Sequence, residues 1–339
     1  AVSSTEVRAG RLGRGHGLAR AAQVALTMWL VLTLNFLLPR LMPGDPLAEL
    51  DNPQGLPTPL SPEARERIRS YYGLERPLGE QYRAYLTGLA RGDLGWSLSY
   101  NAPVARVLAG RLRWTLALVG VATALYLALG VVLGAASAWR RGALLDRALL
   151  VGSAVSGSVP AFFLALLLIL LLGVRLRWLP LGGAQSVALL GAPWPRRAAD
   201  IARHMVLPVL ALVLTNVGDV AYVARNALAQ VLGEGFITVA RAKGLPERAL
   251  LWRHALPNAL LPVVSLAALR LGAVVMGAML VEVAFAYPGM GQAIYQASMA
   301  RDYPLLQGAF LVTMLTTMGA NLLADALYGA LDPRLRGGR

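Results

Sequence analysis

The chain has 339 residues, of which 56% are hydrophobic and only 15% charged, with a formal charge of +14 and no cysteine. A water-soluble chain of this size carries about a quarter charged residues. Here the few charges gather between long uncharged blocks, which excludes a soluble enzyme and makes lipid the expected solvent, while the lack of cysteine excludes a disulfide framework.

All basic residues but Lys243 are arginine, a bias of the whole chain. No aromatic interleaving or zinc-ligand spacing accompanies them, so nucleic acid is not an expected partner. Residues 1–20 form a basic N-terminal segment. Nineteen uncharged residues then separate Arg20 from Arg40, enough in a helix to cross roughly 30 Å of hydrocarbon, which predicts a first transmembrane helix over 21–39. Its exit, Leu37-Leu38-Pro39-Arg40, lacks a small-x-small cleavage pattern, so the helix is expected to be retained. Residues 40–112, rich in Pro, Gly and charge, read as an extracytoplasmic segment with helical spacing at 62–72 and 79–90, marginal as an independent domain.

Residues 113–331 read as a five-helix core. Uncharged runs of 26 residues between Arg113 and Arg140 and of 27 between Arg147 and Arg175 predict the second and third spans. Met205 to Ala224, Ala259 to Val283 and Tyr303 to Leu331 predict the fourth, fifth and sixth. The fold class is therefore all-α, integral to the membrane, with six spans and both termini on one side. Basic residues are retained on the cytoplasmic face. An inside N-terminus places fifteen of them on inner segments and six on the two short outer loops. Residues 332–339 then form a cytoplasmic tail.

The inner loop 225–258 is the most informative stretch. A helix running to Lys243 is expected to stop at Gly244, which tolerates the left-handed conformation. A second helix, Pro246 to Leu256, starts with proline in its first turn and Glu247 near the positive end of its dipole. It would present Leu250, Leu251, Ala255 and Leu256 among Arg248, Arg253 and His254, short, exposed and partly apolar, as a docking lever requires.

Ala240, Lys243-Gly244-Leu245 and His254-Ala255-Leu256-Pro257 resemble the cytoplasmic coupling loop of binding-protein-dependent ABC importer permeases, and in particular the B-type subunit of the peptide and nickel class. Pro43-Gly44-Asp45-Pro46, Tyr72-Gly73-Leu74, Arg91-Gly92-Asp93-Leu94-Gly95, Val159-Pro160-Ala161-Phe162, Tyr287-Pro288-Gly289-Met290-Gly291 and Asp332-Pro333-Arg334 are similar to that class in the same order. Thr238, Val239 and His254 depart from the broad motif, so no charge contact through position 238 is implied.

The resemblance implies a permease subunit of the bacterial or archaeal inner membrane that pairs with a second, homologous permease. Two cytosolic ATPases would grip Ala240, Lys243, Gly244, Leu245, Leu250, His254, Leu256 and Pro257, and a solute-binding protein would dock on the outer segment, with Asp45, Arg91 and Asp93 as candidates. A di- or oligopeptide is the implied cargo, with a nickel chelate or another small solute as alternatives. No cofactor is implied in this chain: its one lysine does not sit in a Walker A loop, so ATP and Mg²⁺ belong to the partner ATPases.

Polar residues within the spans are functional candidates. They are Asn216 and Asp219 on the fourth, Arg270 and Glu282 on the fifth, and Asn321 and Asp325 on the sixth. Asp219 and Arg270 are of opposite charge and could pair across adjacent helices. Whether these residues line a pathway or hold helices together stays open, with a structural role favoured for Asp325. The three histidines, His16, His204 and His254, lie on different loops, and no metal site is expected. The methionines read as packing residues. An intramembrane hydrolase is the rival from the enzyme class. It fails on motif: Asn216-Val217-Gly218-Asp219 and Ala154-Val155-Ser156-Gly157 each lack a required glycine, and no His-Glu-x-x-His occurs.

Overall fold

The computed structural model describes residues 22, 26–41, 63, 66, 75–267 and 278–331, of which 323–331 by backbone alone. Two compact units divide the chain, 1–105 with 297–311 and 106–296 with 312–339.

In the first unit helix α1 (Leu26–Leu41) meets helix α2 (Leu78–Ala90) through aromatic and polar side chains. The buried Phe36 ring packs edge-on against Tyr82 at 5.1 Å and tilted against Tyr85 at 5.7 Å, and the Arg40 guanidinium lies 3.7 Å above the Phe36 ring centre. Thr33 hydrogen-bonds Tyr82 at 2.7 Å, and Asn35 donates to Tyr85 and to the Gln307 carbonyl. Helix α2 ends as a glycine demands. Gly92 has φ +76°, its N–H donates to the Leu89 carbonyl and that of Asp93 to Gly88, the paired bonds of a Schellman turn. Strands β1 (Trp96–Ser97) and β2 (Ala102–Pro103) then pair antiparallel, with Trp96 opposite Pro103. The buried Asp302 carboxylate accepts from the Ser97 hydroxyl at 2.6 Å and from the Ser99 and Leu305 amides, the last capping the helix that begins at Tyr303.

Helix α3 (Val104–Trp139) opens the larger unit. Its 36 residues span about 54 Å at helical rise, well beyond a bilayer core. The expected second span is contained in it, but the helix runs on through Arg111 and Arg113: a charge ends the lipid-compatible stretch without ending the helix. Helix α4 (Leu144–Ser158) and helix α5 (Ala161–Leu168), prolonged by a π turn over Ile169–Arg175, occupy the expected third span. They are bent by 99° at Val159-Pro160, so one predicted helix is two. Pro160 has no N–H to give, and Val159 before it is extended, as the proline ring requires.

Helix α6 (Trp194–Val231) carries Pro208 in its interior and contains the expected fourth span. The inner loop follows as helix α7 (Gly235–Ala242), helix α8 (Glu247–Ala249), a π turn at Leu250–Ala255 and helix α9 (Leu256–Ala259). Helix α10 (Met279–Ala284), helix α11 (Met290–Met299) and helix α12 (Tyr303–Leu331) are the last of the described elements. The start of α12 matches the expected sixth span. The middle of the expected fifth span, 268–277, lies outside the described residues. Among the described residues α3, α6 and the part of α12 to Leu322 are long and apolar enough to cross a membrane, and the bent α4–α5 pair makes a fourth if taken as one span. The core of this unit joins Leu118, Ala122 and Tyr126 of α3, Ala165 and Leu168 of α5, Leu207, Ala211 and Val220 of α6, and Val281, Phe285 and Tyr287 around α10.

Candidate functional site

Glu234 leads into α7 in an extended conformation, and the helix ends at Lys243. Gly244 follows with φ +77°. Its N–H donates to Arg241 at 3.0 Å and that of Leu245 to Ala240 at 3.4 Å, a second Schellman turn, located where the sequence predicted a glycine stop. Pro246 then accepts from the Ala249 and Leu250 amides and starts the return helix. Across the turn Arg241 donates to Glu247 from Nε at 2.8 Å and from Nη2 at 3.4 Å. Hydrogen bonding to the Glu247 carboxylate raises the Arg241 pKa further above its usual range. Both side chains are about half exposed (53% and 52%), so this pair orients the turn more than it stabilises it.

The face the hairpin buries differs from the expectation. Leu250 and Ala255 are fully buried and Leu256 nearly so, packed with Ile237 and Ala240 of α7 against Ala135 and Ala138 of α3 and Ala227 and Leu228 of α6. The apolar side chains predicted to be on offer are therefore anchors. Helices this short are not stable in water without such packing. What the hairpin exposes is Phe236, Val239 and Trp252, together with Lys243, Gly244 and Pro257; Leu245 and His254 are half-buried.

Behind the hairpin lies an ion pair whose only trace in the sequence is faint, Asp146 as the lone acid between Arg140 and Arg147. The buried Asp146 carboxylate accepts from Arg225 Nε at 2.9 Å and Nη2 at 3.0 Å, from the Ser137 hydroxyl at 2.6 Å and from the Gly142 amide at 2.8 Å. One carboxylate thus holds the end of α3, the α3–α4 turn and α6 together.

Glu282 is fully buried. It accepts from the Thr115 hydroxyl at 2.7 Å and the Gly291 amide at 2.6 Å, while Thr115 Oγ1 accepts from the Met290 amide. A Cβ at Gly289 or Gly291 would run into this carboxylate, which accounts for the two glycines of Tyr287-Pro288-Gly289-Met290-Gly291. Glu282 is thereby tied to α3 and to the start of α11. Asn216 donates to the Leu212 carbonyl and to Thr215 on its own helix. Asp219 is half-buried beside Gly157 of α4, where a Cβ would come within 3.5 Å of its Oδ1. Asn321 is exposed. Arg270, and with it the Asp219–Arg270 pairing, Asp45 and the side chain of Asp325 lie outside the described residues. Arg91 and Asp93 are exposed at the end of α2, and Asp93 Oδ1 accepts from the Gly95 amide at 2.9 Å, holding the turn into β1. His204 contacts Asp200 of its own helix. Among the described residues no three acidic or histidine side chains gather as a metal site would need.

A family model described as a binding-protein-dependent transport system inner membrane component matches residues 130–337, which include the hairpin and the Asp146–Arg225 pair. The dipeptide transport system permease protein DppB of Escherichia coli K12 is 34% identical over 336 residues, covering 94% of this chain and 98% of that one. A Brucella suis biovar 1 protein, provisionally named a peptide permease, is 36% identical over 315 residues, covering 92% and 96%. A chain from inward-facing structures of the MetNI methionine ABC transporter superposes with a TM-score of 0.54 at 18% identity, over 67% of this chain and 96% of that one, a likeness of fold.

Proposed function

Since this chain belongs to the family of binding-protein-dependent transport system inner membrane components, and is thus a permease subunit of the inner membrane, we propose that its cargo is a di- or oligopeptide and that the hairpin 234–259 is its handle for ATP-driven motion. The names of the relatives, a dipeptide permease among them, support the cargo. The observation that carries the handle is the division of the hairpin's two faces. Ile237, Leu250 and Ala255 are fully buried in the chain's own core, while Phe236, Val239 and Trp252 stand exposed beside a turn held by Gly244. A lever must be welded on one side and free on the other.

In this reading a second permease completes the pathway, and two ATPases that bind ATP and Mg²⁺ grip the hairpins. A solute-binding protein docks on the outer segment 40–112. Six helices span the membrane with both termini, the loop 225–258 and the tail 332–339 inside. Closure of the ATPases displaces the hairpin, and the packed helices respond as rigid bodies because close-packed cores do not deform continuously. The polar residues within the spans divide between two roles. Glu282, with its hydrogen bonds satisfied inside the chain, holds helices together, and Asp219 and Asn216 stay candidates for the pathway.

Reconstitution tests the reading. The permease pair, the ATPases and the binding protein in proteoliposomes should accumulate a radiolabelled dipeptide only with ATP, and Trp252→Ala should weaken ATPase association. Accumulation by vesicles that lack the ATPases would overturn it.

A further inference from the structure

We propose that the ion pair of buried Asp146 and half-buried Arg225 is a coupling latch, which fastens the α3–α4 turn to α6 so that a displacement of the hairpin carries α3 and α4 with it as one block. The inference rests on the reading of the hairpin as the handle.

The chain of contacts begins at the hairpin. Only Leu232, Gly233 and Glu234 separate α6 from α7, and they are bonded turn on turn: the Leu232, Gly233 and Glu234 amides donate to Leu228, Gln230 and Val231, and Ile237 donates to Glu234. The hairpin is therefore an extension of α6. Leu228, fully buried among the hairpin anchors, lies one helical turn beyond Arg225. Arg225 in turn grips Asp146 with two nitrogens on two oxygens, a planar fork that fixes distance and angle together. The remaining acceptor sites of that carboxylate take Ser137, at the end of α3, and Gly142, whose φ of +83° shapes the turn into α4.

A buried ion pair contributes little more to stability than apolar residues of the same volume would, so stability alone does not account for a charged group here. An apolar contact can slide, whereas this bidentate pair cannot slip by a turn without leaving the buried Asp146 carboxylate without its counter-charge, the half-buried Arg225 keeping only its bond to Asn226. The surrounding contacts give the latch something to transmit. Beside it a Cβ on Gly134 of α3 would lie 2.5 Å from the Ala221 carbonyl and 2.7 Å from the Ala224 Cβ, so the two backbones are already in contact. Farther along α4, Gly218 of α6 abuts Ser153, and Ser156 donates to the Leu214 carbonyl. Helix α4 is thus pinned to α6 at both ends, and Asp146 is the charged pin at the hairpin's end. Asp146 and Arg225 act through the helices they hold, as positioning residues.

The test uses the complete transporter in proteoliposomes, measuring radiolabelled dipeptide taken up per ATP hydrolysed in the presence of the binding protein. Asp146→Asn should lower this ratio fivefold or more while stimulated hydrolysis stays within twofold of wild type. Ser137→Ala, which keeps the ion pair, and Arg225→Lys, which keeps the charge without the fork, should lower it about twofold. Uptake and hydrolysis falling in proportion, with the ratio unchanged, would make the pair a stability element and overturn the proposal. Should Asp146→Asn fail to assemble, an unchanged ratio in both Ser137→Ala and Arg225→Lys overturns it equally. Wild-type uptake without ATPases would instead sink the handle reading itself, whatever the variants do.

Discussion

Gly244 offers the sharpest test of the hairpin, because the structure separates two reasons for a glycine. Its φ is +77°, and a Cβ built there would meet nothing within 4 Å. Steric overlap therefore adds nothing, and the whole cost of a side chain is backbone conformation, about 1–2 kcal/mol for an ordinary L-residue in the left-handed region. The β-branched valine should lie at the upper end of that range and asparagine, which visits this region readily, well below it. A cost of about 1.4 kcal/mol is a factor of ten in an opening equilibrium. The amides of Gly244 and Leu245 close the turn, so their hydrogen exchange reports that opening. Exchange in the assembled transporter should quicken about tenfold or more in Gly244→Val, less in Gly244→Ala and least in Gly244→Asn, with dipeptide uptake per ATP falling in the same order. If all three variants are equally impaired, a partner surface must approach the backbone here and the conformational argument is wrong. If Gly244→Val exchanges and transports as wild type does, the turn is not a mechanical element.

The two faces of the hairpin should separate in stability and assembly. Leu250→Ala should cost about 2–5 kcal/mol by emptying a fully buried position, seen as a lowered melting temperature in detergent, whereas the half-exposed Trp252→Ala should stay within about 0.5 kcal/mol. Gly134→Ala should destabilise by about 1–3 kcal/mol, since a backbone carbonyl of α6 cannot move aside as a side chain could; an unchanged melting temperature would show that α3 and α6 are less tightly apposed than described. Glu282→Gln keeps the shape but sets an amide group against donors from Thr115 and Gly291, which should cost about 1–3 kcal/mol in the same assay, and Thr115→Val should cost a similar amount, because it takes one donor from the carboxylate and leaves the buried Met290 amide without its acceptor.

Local chemistry was legible in the sequence. Long uncharged runs declare a lipid environment whatever the tertiary arrangement, a glycine after a helical run declares a left-handed stop, and Gly244 adopts it. Tyr303 to Leu331 is helical as read, its start set by an aspartate and a proline. Spans read from charge gaps came out too short at α3 and α6, because lipid tolerance and helix formation end at different residues. The bend at Val159-Pro160 was present as a proline in a helical run, yet its 99° angle depends on what each half packs against.

Partners are another matter, because a side chain's partner is chosen by which helices come together. Asp146 and Arg225 are 79 positions apart, and Thr115 and Glu282 are 167 apart. No periodicity links such residues. The same holds for the hairpin: its apolar side chains read as a face on offer to a partner, but the supports from Ala135, Ala138 and Leu228 decided that Leu250 and Leu256 turn inward and Trp252 outward. Short-range backbone preferences suffice to write a turn. Only the packing of distant helices determines what that turn is fastened to.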